Sequence, residues 1–207
     1  PRKMIPIMKV VGDYCNLKCS YCFYNEQDQS TRHVMSADIL EKFTRQYLEL
    51  FGHNKELQFV WLGGEPLLAG LPFFQNVVEF QARYATHNQT ITNKLQTNAT
   101  LITDKWARFF REYDFKIGVS IDGDRMTKAL ERLGRKGQGT FDRVMRGIHV
   151  LEEHGLRYGV VQVLTSQSIP RLKESFDFFV NRLNLTHWSV NTYLHDHSDL
   201  IPDEKSV

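Results

Sequence analysis

Apolar and polar positions follow two alternating periods along the chain. Short runs of β-branched and apolar residues at 7–11, 57–62, 94–98, 115–121, 158–164 and 187–193 read as strands. Between them lie longer stretches with apolar residues three and four apart, at 37–50, 71–84, 104–113, 140–154 and 170–183, which read as amphipathic helices. The first carries Ile39, Leu40, Phe43, Tyr47, Leu48 and Leu50, with Ser36 at its N-cap and Gly52 past its end. Thr103 and Ser168 stand at the entries of later helices. Strands that alternate with helices imply a parallel sheet. Right-handed crossovers would curl it into an α/β fold of the partial (β/α)6 TIM-like barrel type.

A barrel of this kind gathers its chemistry on the loops that leave the C-terminal ends of its strands. Those loops are unusual here: Gly12-Asp13-Tyr14-Cys15, Gly63-Gly64-Glu65-Pro66, Thr97-Asn98-Ala99-Thr100, Asp122-Gly123-Asp124 and Thr165-Ser166-Gln167. The 207 residues suit one globular domain with a sizeable core, and a 42% hydrophobic, 24% charged composition excludes a disordered or collagen-like chain. With 26 Lys+Arg against 24 Asp+Glu, and the signs interspersed, no electrostatic funnel for nucleic acid is expected. No apolar run reaches the roughly 20 residues of a membrane span, so neither membrane nor nucleic acid is an expected partner.

Cys15, Cys19 and Cys22 are the only cysteines. An odd number inside eight residues builds no disulfide framework and points to a reducing, cytoplasmic setting. Besides chance thiols and a redox pair, two readings of the cluster stay open. The gap from Cys19 to Cys22 is a common zinc spacing, with His33 as the nearest fourth ligand, which would make the chain a zinc-stabilised binding module. Alternatively, three thiolates hold an iron–sulfur cluster and leave one iron open.

Cys15-Asn16-Leu17-Lys18-Cys19-Ser20-Tyr21-Cys22 resembles the C-x3-C-x2-C signature of the radical S-adenosylmethionine (radical SAM) superfamily, whose core is a partial six-stranded barrel. Residues 22–24, 59–66, 95–98 and 119–123 further resemble the anaerobic sulfatase-maturating enzymes and related SPASM-type peptide-modifying members. The resemblance implies a [4Fe–4S] cluster on Cys15, Cys19 and Cys22, and reductive cleavage of S-adenosylmethionine (SAM) to a 5′-deoxyadenosyl radical. It also implies a peptide or protein substrate that is crosslinked or oxidised, and an electron donor such as flavodoxin or ferredoxin. Formation of formylglycine from Cys or Ser is the alternative activity.

By the same resemblance Tyr21 contacts the adenine side of SAM, and Gly63, Gly64, Glu65 and Pro66 receive its ammonium, the glycines letting backbone approach and exposing carbonyls. Thr97, Asn98, Asp122 and Leu194 join the cofactor-binding set. Ser120 and Arg132 match positions that reach the ribose and the carboxylate, and an arginine fork suits a carboxylate. The sequence departs from the maturase pattern where a His-Asp pair precedes the arginine, because Lys128 and Ala129 stand there. Residues 134–139 read as a mobile solvated loop, and His195-Asp196-His197 as a solvated stretch of tail. The expected organisation is a core domain over 1–194 and a polar tail, or the start of a further domain, over 195–207. A catalytic-core fragment of a longer enzyme is the expected status of the chain.

Overall fold

The computed structural model describes residues 4–26, 33–53, 55–128 and 131–192. In chain order the strands are β1 (Ile7–Lys9), β2 (Leu17–Cys19), β3 (Glu56–Leu62), β4 (Thr90–Thr97), β5 (Lys116–Ser120), β6 (Arg132–Gly134), β7 (Tyr158–Leu164) and β8 (Trp188–Thr192). The helices are α1 (Ala37–Leu50), α2 (Leu71–Tyr84), α3 (Asp104–Glu112), α4 (Arg125–Lys128), α5 (Phe141–Glu153) and α6 (Leu172–Phe176). Six strands form one parallel sheet in the order β1-β3-β4-β5-β7-β8. The order never doubles back, which is the winding of an open barrel and not of a doubly wound sheet.

Alternation along the strands separates two faces. Leu57, Phe59 and Trp61 of β3 are buried against the helices, where Phe59 lies edge-on to Tyr47 of α1 and Trp61 edge-on to Phe74 of α2. Phe74 in turn meets Trp106 of α3 at 5.5 Å, so an aromatic layer joins the first helices to the sheet. The alternate residues Val60 and Leu62, Gln96, Gly118 and Ser120, and Val161 and Val163 are only half-buried and line the concave side. The wall of the open barrel is therefore mixed, with Gln96 Nε2 donating to Ser120 Oγ at 2.8 Å. Gly118 makes room for that amide, since a Cβ there would lie 2.1 Å from Gln96 Oε1.

Helices α1 and α2 and strand β7 have the bounds the pattern predicts, and Ser36 caps α1 by accepting from the Ile39 amide. Other elements differ. Strand β4 begins at Thr90, because the polar run 90–93 pairs with β3 and Asn93 is buried in amide bonds to Gln81 and the Trp61 indole. The expected helix 170–183 is a 3-10 turn Ile169–Arg171, then α6, then a π-helical stretch Asp177–Arg182. Ser168 does not cap it; its hydroxyl accepts instead from the Thr165 amide. The last strand ends at Thr192 within the described residues.

Candidate active site at the strand exits

Strand β1 runs out through Gly12, Asp13 and Tyr14 into the cysteine loop, which folds back over the end of the barrel. The exit of β3 clamps it. Gly64 donates its amide to Gly12 O and Glu65 donates to Tyr14 O, both at 2.9 Å. Gly63 holds φ +118, and a Cβ on Gly64 would fall 1.9 Å from Tyr14 O. Both positions therefore need glycine, because two backbones touch there.

Below the glycines, Glu65 is fully buried and its carboxylate accepts three hydrogen bonds. Oε1 accepts from the Leu67 amide at 3.0 Å and from Thr97 Oγ1 at 2.7 Å, while Oε2 accepts from the Asn98 amide at 2.8 Å. Glu65 thus joins the exits of β3 and β4, and Pro66 starts the 3-10 turn Pro66–Ala69. Asn98 then reaches the cysteine loop: its Nδ2 donates to Asn16 Oδ1 at 2.9 Å and lies 3.8 Å from Cys15 Sγ. Asn16 Nδ2 donates to Thr100 Oγ1 at 2.8 Å and completes the lock.

Cys19 lies on β2, which pairs antiparallel with β6 so that Cys19 sits opposite Arg132. This two-stranded ribbon was not legible in the sequence, since each strand has three residues. It places Arg132 beside Tyr21 and Asp122, all three buried. Tyr21 donates to Asp122 Oδ2 at 2.7 Å, Arg132 Nη1 donates to the Tyr21 hydroxyl, and Arg132 Nη1 is 3.5 Å from Asp122 Oδ2. Asp122 Oδ1 also accepts from the Val163 amide at 3.0 Å. The loop 134–139 is exposed as expected from Arg135 on, but its first residue is a buried strand residue held by Gln138 O.

The structure thus gathers Tyr21, Gly63, Gly64, Glu65, Pro66, Thr97, Asn98, Ser120, Asp122 and Arg132 at one end of the barrel with the cysteines. Leu194, Ala129 and residues 195–207 lie outside the described residues. The structure adds Asn16, Gln96 and Glu131 to this end of the barrel. Asn16 carried a signal, being a side-chain amide inside the cysteine motif. Glu131 carried none, since its partner Thr165 comes from a distant segment.

Cys15 and Cys22 are half-buried, Cys19 is buried, and no disulfide joins them. Burial, with the Glu65 carboxyl and the other two thiols nearby, pushes the Cys15 thiol up to about 12. A thiol in that setting ionises at neutral pH only beside a compensating positive charge such as iron. Among the described residues no three His, Cys, Asp or Glu side chains converge on a single metal ion, and His33 is exposed. Three cysteines around a larger iron–sulfur group fit the donor set. Among the described residues no helix is long and apolar enough to cross a membrane.

The chain matches the Radical SAM superfamily over residues 10–178. It is 39% identical over 185 residues to a serine-type anaerobic sulfatase-maturating enzyme of Klebsiella aerogenes, covering 87% of this chain and 45% of that protein. It is 34% identical over 178 residues to a cysteine-type anaerobic sulfatase-maturating enzyme of Clostridium perfringens, covering 84% of this chain and 47% of that one. The fold superposes on native anSMEcpe with bound AdoMet and the Cp18Cys peptide at a TM-score of 0.90 and 28% identity, over 99% of this chain and 56% of that chain. The chain spans about half the length of these relatives.

Proposed function

The chain belongs to the Radical SAM superfamily, and from that premise we propose that it is the core of an oxidoreductase that modifies a peptide or protein by crosslinking or oxidation. Cys15, Cys19 and Cys22 would hold a [4Fe–4S] cluster, with SAM bound beside it. When bound, the pair would supply one-electron radical chemistry, with the electron coming from an external donor.

The observation that carries this reading is the convergence of the β1, β3 and β4 exits on the cysteine loop at the open end of the barrel. Gly63 and Gly64 fix the loop, and Glu65, Thr97 and Asp122 stand at the same strand exits, bonded to the backbone and side chains around them. Ser120 and Gln96 offer polar groups on the concave wall. Anaerobic reconstitution should give about four irons per chain and release 5′-deoxyadenosine when SAM and a reductant are added. Stoichiometric zinc without a brown chromophore would overturn the proposal.

Formylglycine formation is a second reading, favoured by the identity to serine-type and cysteine-type sulfatase maturases alike. Mass spectrometry on sulfatase-motif peptides decides it. A serine that loses a pair of hydrogens, or a cysteine that loses hydrogen sulfide and gains an oxygen, would establish maturation. Peptides left unchanged while SAM is consumed would point to another peptide substrate.

A further inference from the structure

Asn98, Asn16 and Thr100 close a ring of side-chain hydrogen bonds where the exit of β4 meets the cysteine loop. Asn98 Nδ2 donates to Asn16 Oδ1 at 2.9 Å, Asn16 Nδ2 donates to Thr100 Oγ1 at 2.8 Å, and Thr100 Oγ1 donates back to Asn98 Oδ1 at 2.6 Å. The Thr100 amide also donates to Asn98 Oδ1, at 3.0 Å. Two donors on that oxygen fix which way the Asn98 amide points, because a flipped amide would set its own N–H groups against them.

The ring uses one of the two hydrogens on Asn98 Nδ2, and the second is left for Cys15, whose Sγ lies 3.8 Å away and also accepts from the Leu17 amide at 3.4 Å. As a thiol, Cys15 donates to Asn16 Oδ1 at 3.9 Å; as a thiolate ligand it only accepts, and Leu17 and Asn98 donate to it. The backbone holds Asn98 in this place. Its amide is spent on Glu65 Oε2, and the next residue, Ala99, is buried at φ +61, a left-handed conformation that a non-glycine residue adopts at a cost. Helix α5 packs onto that turn, since a Cβ on Gly147 would lie 2.1 Å from Ala99 O.

We infer that Asn98 is a positioning residue for the cysteine-held cluster: its side-chain N–H orients Cys15 and sets the reduction potential, while Asn16 and Thr100 hold that amide in register. The inference rests on the [4Fe–4S] cluster proposed above, and it assigns Asn98 to the cysteine where resemblance assigns it to SAM. A hydrogen bond to a ligating sulfur strengthens as the sulfur gains negative charge, so it favours the reduced cluster. Losing it makes the cluster harder to reduce.

Anaerobic redox titration of the reconstituted protein without SAM, followed by the electron paramagnetic resonance of the reduced cluster, reads this directly. Asn98→Ala should lower the midpoint potential until the ratio of reduced to oxidised cluster at a fixed potential drops about tenfold, which is about 59 mV for one electron. Thr100→Val keeps the Asn98 donor but takes away one of its two latches, and it should shift the midpoint the same way by less. SAM affinity of the loaded variants, measured by equilibrium dialysis, should stay near that of the parent.

If Asn98→Ala holds too little iron to titrate, Thr100→Val decides, since it keeps every group that touches Cys15. Midpoints equal to or above that of the parent would overturn the inference and leave the cluster reading intact. Weakened SAM binding at an unchanged midpoint would also overturn it, and would make Asn98 a SAM contact. A parent chain that assembles no four-iron cluster would refute the proposed function itself, and the inference with it.

Discussion

Tyr21, inside the last cysteine gap, donates a 2.7 Å hydrogen bond to Asp122 at the exit of β5. The bond ties the cysteine loop to the far wall of the barrel, and Arg132 closes it by donating to the same hydroxyl. Resemblance assigns Tyr21 and Arg132 to SAM, yet both polar tips are engaged in the fold. Desolvation drives the Tyr21 phenol upward, so the hydroxyl stays protonated and serves as donor.

Arg132→Ala should therefore cost fold stability as well as SAM affinity. It leaves the Asp122 carboxylate buried without its guanidinium, a loss on the order of 3–5 kcal/mol. Urea unfolding of the cluster-free protein measures this directly. Arg132→Lys, which keeps the charge without the fork, should lose less. An unchanged unfolding midpoint with weakened SAM binding would make Arg132 a ligand clamp alone.

Gly64→Ala should displace the cysteine loop, because its Cβ meets Tyr14 O, Tyr14 C and Asp13 C, all backbone. The expected result is a clear drop in iron bound per chain after reconstitution, with the barrel still folded by circular dichroism. Gly139→Ala is the comparison: nothing lies within 4 Å of its Cβ, and iron content should hold.

Much of this arrangement can be read from the sequence because it is periodic. Helices α1 and α2 declare themselves by apolar spacing and a cap, and the cysteines by their own interval. Short and shared features are harder to read. β2 and β6 have three residues each and pair across more than a hundred positions, so no local pattern marks them. Gly63, Gly64 and Glu65 stand out as a strand exit, and the resemblance implies cofactor contacts there. The structure adds the glycines pressed on Tyr14 and the carboxylate bonded to Thr97 and Asn98. Buried networks of this kind depend on partners that the sequence does not place side by side.

Glu65→Gln tests that network. The carboxylate receives three hydrogen bonds, and an amide turns one accepting atom into a donor facing a donor. Stability should fall by about 1–3 kcal/mol, the cost of a buried group left unsatisfied. Thermal unfolding of cluster-free protein reads the loss. A variant as stable as the parent would mean that the β3 and β4 exits hold together without this carboxylate.

Glu131 gives the fold a pH dependence of its own. Its carboxyl is buried, Oε1 accepts from Thr165 Oγ1, and Oε2 has no hydrogen-bond partner among the described residues. Burial pushes it up to about 7 and the Asp122 charge adds to the rise, while the Thr165 bond and Arg132 act the other way. In the unfolded chain a glutamate titrates near 4.3. Between these two values the folded state keeps a proton that the unfolded state has released, so stability falls as pH rises through this window and levels off above it. At about 1.4 kcal/mol per pH unit, Glu131 costs the fold on the order of 3 kcal/mol by pH 8. Glu131→Gln, neutral in both states, removes that cost while keeping an acceptor for Thr165. Urea unfolding at pH 5 and pH 8 should find the variant close to the parent at the lower pH and more stable at the higher. Other groups titrate alike in both proteins and cancel in the difference. A gap that does not widen with pH would show that Glu131 gives up its proton equally readily whether the chain is folded or not.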